Sequence, residues 1–196
     1  MAVSPVRRAG AQEGGSARGP APRGHACPAR HQAFAGAWAA VAYAGAGRDL
    51  VAALKFAGAR PLVGVMAAHL AAGVPPPLLE GVTLVAVPGH PARRRARGFD
   101  PSALLARELS RRAGVPLAAG VLRRRSRSGR QLGASRSARL AAGRLDVAAT
   151  RKAPGRILLV DDVHTTGATL DACARALRAG GAREVAAVTW ARTLPR

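Results

Sequence analysis

The sequence predicts an α/β protein in which a parallel β-sheet is flanked by helices. Short apolar segments at residues 82–87, 157–160 and 185–190 alternate with segments of helical periodicity, and this alternation is typical of parallel sheets. Residues 157–160, Ile-Leu-Leu-Val, are apolar at every position, as in a central strand buried on both faces. The length of 196 residues suits one domain with a substantial core.

The other elements follow from periodicity and from residues that begin or end helices. Pro61 and Pro101 precede two helices, and Gly114 and Gly180 follow two helices. In chain order we predict a strand over 38–43, helices over 49–57 and 61–73, a stiff linker over 75–77, a strand over 82–87, a loop over 88–100, a helix over 101–112, a strand over 115–122, a basic segment over 123–143, a strand over 157–160, a helix over 169–179 and a strand over 185–190.

The chain begins with a segment that lacks an apolar pattern. Residues 1–34 consist largely of Ala, Gly, Pro and Arg, so they are predicted to be a disordered tail, and the folded domain is predicted to span 35–196. No run of about twenty apolar residues occurs, and no membrane span is therefore predicted. We expect a cytoplasmic protein.

The charge is strongly positive, at +21 from 31 Lys and Arg against 10 Asp and Glu. Only Lys55 and Lys152 are lysines, so arginine dominates. Such a charge favours contact with polyanions, but aromatic residues make up only 3% of the chain and cannot provide many stacking surfaces for bases. We expect a solvated basic surface that steers phosphate substrates. Non-specific contact with DNA stays open.

The two cysteines exclude a disulfide framework. Cys173 shares helical spacing with Leu170 and Leu177, which predicts a core position. Cys27 lies near His25 and His31, but a zinc site normally takes four ligands. A complete zinc site is not expected.

The chemistry is concentrated at the end of the strand over 157–160. Asp161 and Asp162 follow this strand, at the edge where open α/β sheets bind ligands. The turn Thr165–Thr166–Gly167 then offers hydroxyl and backbone N–H donors to an anion, and a helix begins near its end. The carboxylates suit ribose hydroxyls or a cation. The full candidate set for a sugar phosphate comprises Asp161, Asp162, Val163, His164, Thr165, Thr166, Gly167, Ala168 and Thr169.

Three simpler explanations of glycine and threonine turns fit less well. A P-loop requires a lysine in the turn, and none occurs here. A dinucleotide fingerprint at Gly45–Ala46–Gly47 lacks its third small residue, because Leu50 stands there. An ordinary strand–helix turn with a capping Thr does not need two adjacent carboxylates.

The segment from Val160 to Thr169 resembles the phosphoribosyl-pyrophosphate motif of type I phosphoribosyltransferases. The resemblance implies a type I phosphoribosyltransferase-like sheet with a flexible basic loop. It also implies that Asp161 and Asp162 contact the ribose hydroxyls and a Mg²⁺ ion, and that the Thr-Thr-Gly-x-Thr turn holds the 5-phosphate.

Further blocks resemble the ComF family of late-competence proteins. These are Ala53–Leu54–Lys55–Phe56 with Gly58, Val85–Ala86–Val87–Pro88, the run from Arg93 to Phe99, and the spacing from Arg123 to Arg139. Three departures stand out. The family's N-terminal zinc ribbon is missing or eroded to Cys27, Asp100–Pro101 replaces Asn–Gln, and Ala142 and Leu145 stand near the usual Asn and Phe.

The resemblance implies two further parts of the site. A pyrophosphate loop would comprise Pro88, Gly89, His90 and Arg93, with the backbone N–H groups of Gly89 and His90 and the side chain of Arg93 as candidate contacts. A flexible loop would comprise Arg123, Arg125, Gln131, Arg136 and Arg139. Catalytic roles would fall to Asp161, Asp162, Arg125 and Gln131. The alternative is a solvated Arg-rich loop for the first part and a disordered basic loop without contacts for the second. Lys55 lies on a helix from which it could reach the site, but a solvated or snorkelling Lys55 and a plain loop His164 are expected.

Two functions remain open from the sequence. The first is transfer of phosphoribose from phosphoribosyl pyrophosphate to an unknown nitrogenous acceptor, in nucleotide metabolism or in connection with DNA uptake. The second is a non-catalytic module that binds a phosphoribosyl ligand or nucleotide and acts through DNA or competence-machinery proteins. A homodimer is compatible with both.

Overall fold

A computed structural model describes residues 32–124 and 146–194, and its centre is a four-stranded parallel sheet. The strands are β1 (Ala37–Ala42), β2 (Thr83–Ala86), β5 (Arg156–His164) and β6 (Glu184–Arg192), in the spatial order β1-β6-β5-β2. Two short strands, β3 (Leu122–Arg124) and β4 (Val147–Ala149), form a separate antiparallel pair. The predicted α/β fold with a parallel sheet is confirmed.

Five helices connect the strands within the described residues. They are α1 (Gly45–Phe56), α2 (Leu62–Gly73), α3 (Pro91–Arg97), α4 (Pro101–Ala113) and α5 (Ala168–Ala179), with a short 3-10 helix at Pro76–Leu78. Helices α1, α2 and α4 cover one face of the sheet, and α5 with the β3–β4 pair covers the other.

Alternation along β5 builds both halves of the core. Leu158 and Val160 pack on the face covered by α1, α2 and α4, whereas Ile157 and Leu159 pack on the α5 face. Successive side chains of a strand point to opposite faces, so a strand between two helical layers must be apolar at every position. This is the pattern from which the central strand was predicted.

Two predictions about chain segments are wrong. The predicted loop over 88–100 contains helix α3, because Pro91 stands at its first position and His90 Nδ1 accepts a hydrogen bond from Ala92 N at 3.2 Å. The predicted strand over 115–122 forms only an isolated bridge between Leu117 and Leu84. Gly120, at φ +72°, interrupts it before β3 begins.

The boundary of the predicted tail also needs correction. Ala33 and Phe34, which fall within the predicted tail over 1–34, pack against the domain. Phe34 is 5% exposed in the core on the α5 face, and Ala35 N donates to Val185 O at 2.8 Å. The folded part of the chain therefore begins before residue 35, since Phe34 supplies apolar area that the sequence pattern did not reveal.

The cysteine predictions have different outcomes. Cys173 is fully buried among apolar residues of the α5 face, as predicted. His25, Cys27 and His31 lie outside the described residues.

Within the described ranges, none of the helices is long and apolar enough to cross a membrane.

Candidate functional site

The acidic pair lies within strand β5, at the carboxyl end of the parallel sheet. β5 is longer than predicted and continues to His164, with Asp161 paired to Thr189 of β6. Neighbouring β2 ends at Ala86, opposite Val160. The two carboxylates therefore extend beyond the end of β2, where ligands bind in open α/β sheets.

Asp161 is held by a serine on the first turn of α4. Ser102 Oγ donates to Asp161 Oδ1 at 2.7 Å, and the backbone N–H of Asp162 donates to the same oxygen at 2.9 Å. Burial and the neighbouring Asp162 carboxylate raise the pKa of Asp161 to about 7, against the lowering effects of Ser102 and Lys55. Sequence reasoning missed Ser102, because a serine near a helix start is usually a local cap.

Asp162 forms an ion pair with Lys55 of α1. Lys55 Nζ lies 2.7 Å from Asp162 Oδ1, and the two side chains are 23% and 9% exposed. The expectation of a solvated Lys55 is therefore wrong. One signal was available, since Lys55 is one of only two lysines in a chain of arginines, but no spacing rule connects it to a strand more than a hundred residues later.

The turn after β5 presents two threonines at the start of α5. Thr165 and Thr166 are exposed, and Thr169 is partly buried. Thr166 Oγ1 accepts from Ala168 N at the long distance of 3.4 Å, so the capping role is weak and the hydroxyl can still face a ligand. The hydroxyls and the first N–H groups of α5 together form a suitable anion site.

His164 and Gly167 are in close contact within this turn. Gly167 has φ +78°, and a Cβ atom there would lie 2.9 Å from His164 Nε2. His164 is 9% exposed, and burial, with repulsion from Arg192, lowers its pKa to about 4. His164 is therefore neutral at pH 7, but it is the buried last residue of β5 and not the plain loop histidine that was expected.

The predicted pyrophosphate loop is partly occupied by the protein itself. Gly89 N donates to Asp100 Oδ2 at 2.8 Å, and Oδ1 of Asp100 is buried without a partner among the described residues. In this conformation the N–H of Gly89, a candidate contact for pyrophosphate, therefore donates to Asp100 instead. Pro88 precedes Gly89, and His90 caps α3.

Two arginines from different elements come close beside this loop. Arg93 of α3 is exposed. Burial, and then the charge of Arg93, lower the pKa of the Arg124 guanidinium on β3. Arg123, the predicted contact, is exposed, and it alternates with Arg124 along β3. Arg124 was missed because three arginines stand in sequence and only the strand register distinguishes them.

The rest of the predicted flexible loop lies outside the described residues. This applies to Arg125, Gln131, Arg136 and Arg139. The described residues on either side, β3 and β4, pair antiparallel and pack against α5.

The acidic pair can serve a Mg²⁺ ion only in part. Carboxylate oxygens are suitable ligands, and Mg²⁺ commonly takes one or two of them and completes its shell with water and substrate phosphates. Among the described residues, no cluster of three or more His, Cys, Asp or Glu side chains could hold a metal ion. Asp161 and Asp162 thus fit Mg²⁺ only through the carboxylate oxygens that Ser102 and Lys55 do not contact.

Comparison with known proteins identifies a domain on the same residues. Residues 100–194 match the family model of the phosphoribosyl transferase domain, which covers a little under half of the chain. The match includes α4, the β3–β4 pair, β5 with its acidic pair, the threonine turn and β6. A phosphoribosyltransferase domain is therefore supported, and Lys55 and the loop after β2 lie outside the match. The search of curated proteins found no significant match.

Solved structures show a similar chain path at low identity. One is described as the allosteric regulatory enzyme of purine biosynthesis, with 24% identity and a TM-score of 0.43. Another is glutamine phosphoribosylpyrophosphate amidotransferase from B. subtilis complexed with ADP and GMP, with 24% identity and a TM-score of 0.44. Each match covers 66% of this chain and 25% of the other. The protein TT1426 from Thermus thermophilus has 21% identity and a TM-score of 0.36, over 70% and 84% of the two chains.

Proposed function

We propose that this protein binds phosphoribosyl pyrophosphate with Mg²⁺ and transfers phosphoribose to a nitrogenous acceptor. One observation carries the proposal. The family match falls on a strand end where two carboxylates and a Thr-Thr-Gly turn at a helix start occur together. A sugar phosphate needs both parts, because its hydroxyls donate to carboxylates while its phosphate accepts from hydroxyl and N–H groups.

Different elements of the site bind different parts of the ligand. Asp161 and Asp162 accept from the ribose hydroxyls, and Thr165, Thr166 and the start of α5 hold the 5-phosphate. A bound Mg²⁺ would neutralise part of the negative charge of the pyrophosphate. Arg93 and Arg124, whose charges repel each other, are proposed as positive groups for a leaving pyrophosphate, and Arg125, Gln131, Arg136 and Arg139 are proposed to add to them.

Positioning and electrostatics dominate the proposed reaction. The bond between C1 and the pyrophosphate oxygen breaks, positive charge develops on the ribose ring, and the acceptor nitrogen forms the new bond from the opposite face. Pre-oriented cationic groups around the leaving group stabilise the charge that develops on it. Carboxylates beside the ribose stabilise the ring.

A second function is favoured by Asp100. Its carboxylate takes the Gly89 N–H at 2.8 Å, in the loop that should receive pyrophosphate, and a carboxylate repels that group. This favours a module that binds a phosphoribosyl ligand without turnover and acts through DNA or protein partners.

The finer identity is part of the proposal. The ComF-like blocks support a late-competence role in DNA uptake, in the cytoplasm, with the phosphoribosyltransferase-like domain that was predicted over 35–196 extended to include Ala33 and Phe34. Nucleotide metabolism and a homodimer are compatible with this role.

Calorimetry with phosphoribosyl pyrophosphate and Mg²⁺ tests the binding site. Thr166→Ala should weaken binding by about tenfold or more, because a hydrogen bond to a charged group contributes roughly 1.5–3 kcal/mol. Thr83→Ala is the matched control, because Thr83 is the first residue of β2 and lies at the amino end of the sheet, away from the carboxyl end that carries the site. This variant should bind as the wild type does. Absence of binding by the wild type would refute the proposed function.

Release of pyrophosphate decides between the two functions. The protein should release it from phosphoribosyl pyrophosphate in the presence of Mg²⁺ and one of a panel of bases and amines. Binding without release for every acceptor supports the non-catalytic module. In that case Asp100→Asn, which restores the family residue, should increase pyrophosphate affinity if Asp100 is the cause.

A further inference from the structure

Lys55 occupies a place in the candidate site that neither the phosphoribosyl-pyrophosphate motif nor the matched domain includes. It stands on α1, outside the residues that match the phosphoribosyl transferase domain. Its ammonium nevertheless lies 2.7 Å from Asp162 Oδ1, with both side chains largely shielded from water. An ion pair at such a position differs from a surface pair, because removing one partner leaves an uncompensated buried charge.

The contacts of the acidic pair leave one side of each carboxylate for a ligand. Among residues 32–124 and 146–194, the polar contacts of both carboxylates fall on Oδ1: Ser102 and a backbone N–H at Asp161, and Lys55 at Asp162. Oδ2 of each side chain can therefore accept from a donor that enters from outside. A sugar diol provides two O–H donors and no net charge.

We propose that Lys55 is the resident cation of the acidic pair, which orients Asp162 for the sugar diol and makes recognition of the diol independent of a divalent metal. The inference rests on the proposed function and deepens it. A metal ion that approached Asp162 would have to compete with an ammonium already in contact with Oδ1. The divalent ion is needed only where the ligand carries a pyrophosphate.

Ribose 5-phosphate is the probe that separates these roles, because it has the diol and the 5-phosphate but no pyrophosphate. Its affinity, measured by calorimetry, should be the same within about twofold in Mg²⁺ and in EDTA. Lys55→Met should lower the affinity in EDTA by about tenfold or more. Added Mg²⁺ should restore part of the loss, because the carboxylates can then bind a metal. A purely structural role for Lys55 would not create a dependence on metal.

The chain contains its own matched control. Lys152, the other lysine, is exposed, and Lys152→Met should bind ribose 5-phosphate as the wild type does, with or without Mg²⁺. If Lys55→Met fails to fold, the double variant Lys55→Met/Asp162→Asn removes both charges together. Its affinity should equal that of Asp162→Asn alone, since the two side chains then act as one unit.

Lysine side-chain NMR gives a second measurement on the unchanged protein. Selective ¹⁵N labelling of lysine gives ammonium signals from two residues, which Lys152→Met assigns. Ribose 5-phosphate in EDTA should shift the Lys55 signal and leave that of Lys152 in place.

The outcomes distinguish this inference from the proposed function. If the wild type binds ribose 5-phosphate only with Mg²⁺, or if Lys55→Met binds it normally in EDTA, the role of Lys55 is refuted and the proposed function stands. If the wild type binds neither ribose 5-phosphate nor phosphoribosyl pyrophosphate under any condition, the proposed function fails and the inference fails with it.

Discussion

Close packing inside the turn after β5 explains why a glycine stands at position 167. From the sequence, the turn that contains this glycine was predicted to offer hydroxyl and backbone N–H donors to an anion. The structure shows two additional constraints, a left-handed backbone at φ +78° and the ring of His164 where a Cβ would be. Gly167 therefore contributes to folding as well as to the candidate site, and a substitution there cannot be treated as a pure binding variant.

Gly167→Ala should reduce the free energy of unfolding more than Gly98→Ala does. Both glycines have φ above +70°, so both variants lose roughly 1–2 kcal/mol from backbone strain. Only at Gly167 does the new methyl group meet a ring atom at 2.9 Å, whereas the nearest atom at Gly98 is an arginine nitrogen at 3.6 Å. Overpacking should add about 1 kcal/mol or more. Urea denaturation measures the difference, and equal losses would contradict the role of His164.

His164 should make the fold sensitive to acid. Its pKa is about 4 when folded, against 6.5 for an unperturbed histidine, so between these values the unfolded chain binds a proton that the native protein excludes. Stability is fully retained above pH 6.5 and is lost as the pH falls towards 4, by about 3 kcal/mol at most.

Denaturant unfolding in EDTA at pH 7 and pH 4.5 tests this prediction. His164→Leu should lose less stability than the wild type between the two values. The exposed His69 provides the control, since His69→Gln should keep the wild-type pH dependence. An unchanged slope in His164→Leu would contradict the prediction.

At the scale of elements, helix α5 anchors the segment that precedes β1. Asp171 Oδ1 accepts from Ala33 N at 2.7 Å, and Arg178 Nε donates to Ala33 O at 2.6 Å. Arg175 pairs with the same Asp171. Phe34 then packs beneath the turn, 3.7 Å from where a Gly167 Cβ would lie. The segment before β1 thus supports the helix whose start forms the candidate phosphate site.

Two truncations should separate the anchored residues from those before them. A chain that lacks residues 1–31 keeps every described contact and should retain its melting temperature within a few degrees. A chain that lacks residues 1–34 also loses the buried Phe34, at a cost of roughly 3 kcal/mol or more, and should melt about 10 °C lower. Equal melting temperatures would show that Phe34 contributes little. Thermal denaturation followed by circular dichroism provides the measurement.

At the scale of the whole molecule, acidic side chains pair with only some of the arginines in the part of the chain that the structure describes. Arg94 and Arg95 of α3 are exposed and, among the described residues, form none of the observed ion pairs. Arg60 and Arg97 lie over the rings of Phe99 and Phe56. The α3 surface can therefore attract phosphate groups.

Binding to nucleic acid should be electrostatic. Affinity should decrease steeply with salt and show little sequence preference, because phosphate contacts release counterions. Arg94→Gln/Arg95→Gln should reduce the slope of log K against log salt by about 2 if both arginines contact phosphates. Fluorescence anisotropy at several salt concentrations measures the slope. Tight, sequence-selective binding that persists at high salt would contradict the prediction.

Local pattern predicted much of this molecule. The apolar run over 157–160 identified the central strand, and the residues that follow it identified the candidate site. These predictions depend on neighbours in sequence, where side-chain alternation and helix-start geometry are determined by a few adjacent residues. The predicted strand over 115–122 was wrong, because its buried apolar residues pack in the core but only one bridge, from Leu117 to Leu84, joins the segment to a strand of the sheet.

The sequence by itself determined the fold class, the order of most elements and the acidic and threonine-rich site. Only the tertiary structure decided what contacts that site. Ser102 on Asp161, Lys55 on Asp162, Asp100 on Gly89 and Arg124 beside Arg93 all join different elements. The physical reason is that ion pairs and hydrogen bonds act over a few ångströms in space. The chain separations of these partners carry no periodicity from which such contacts could be predicted.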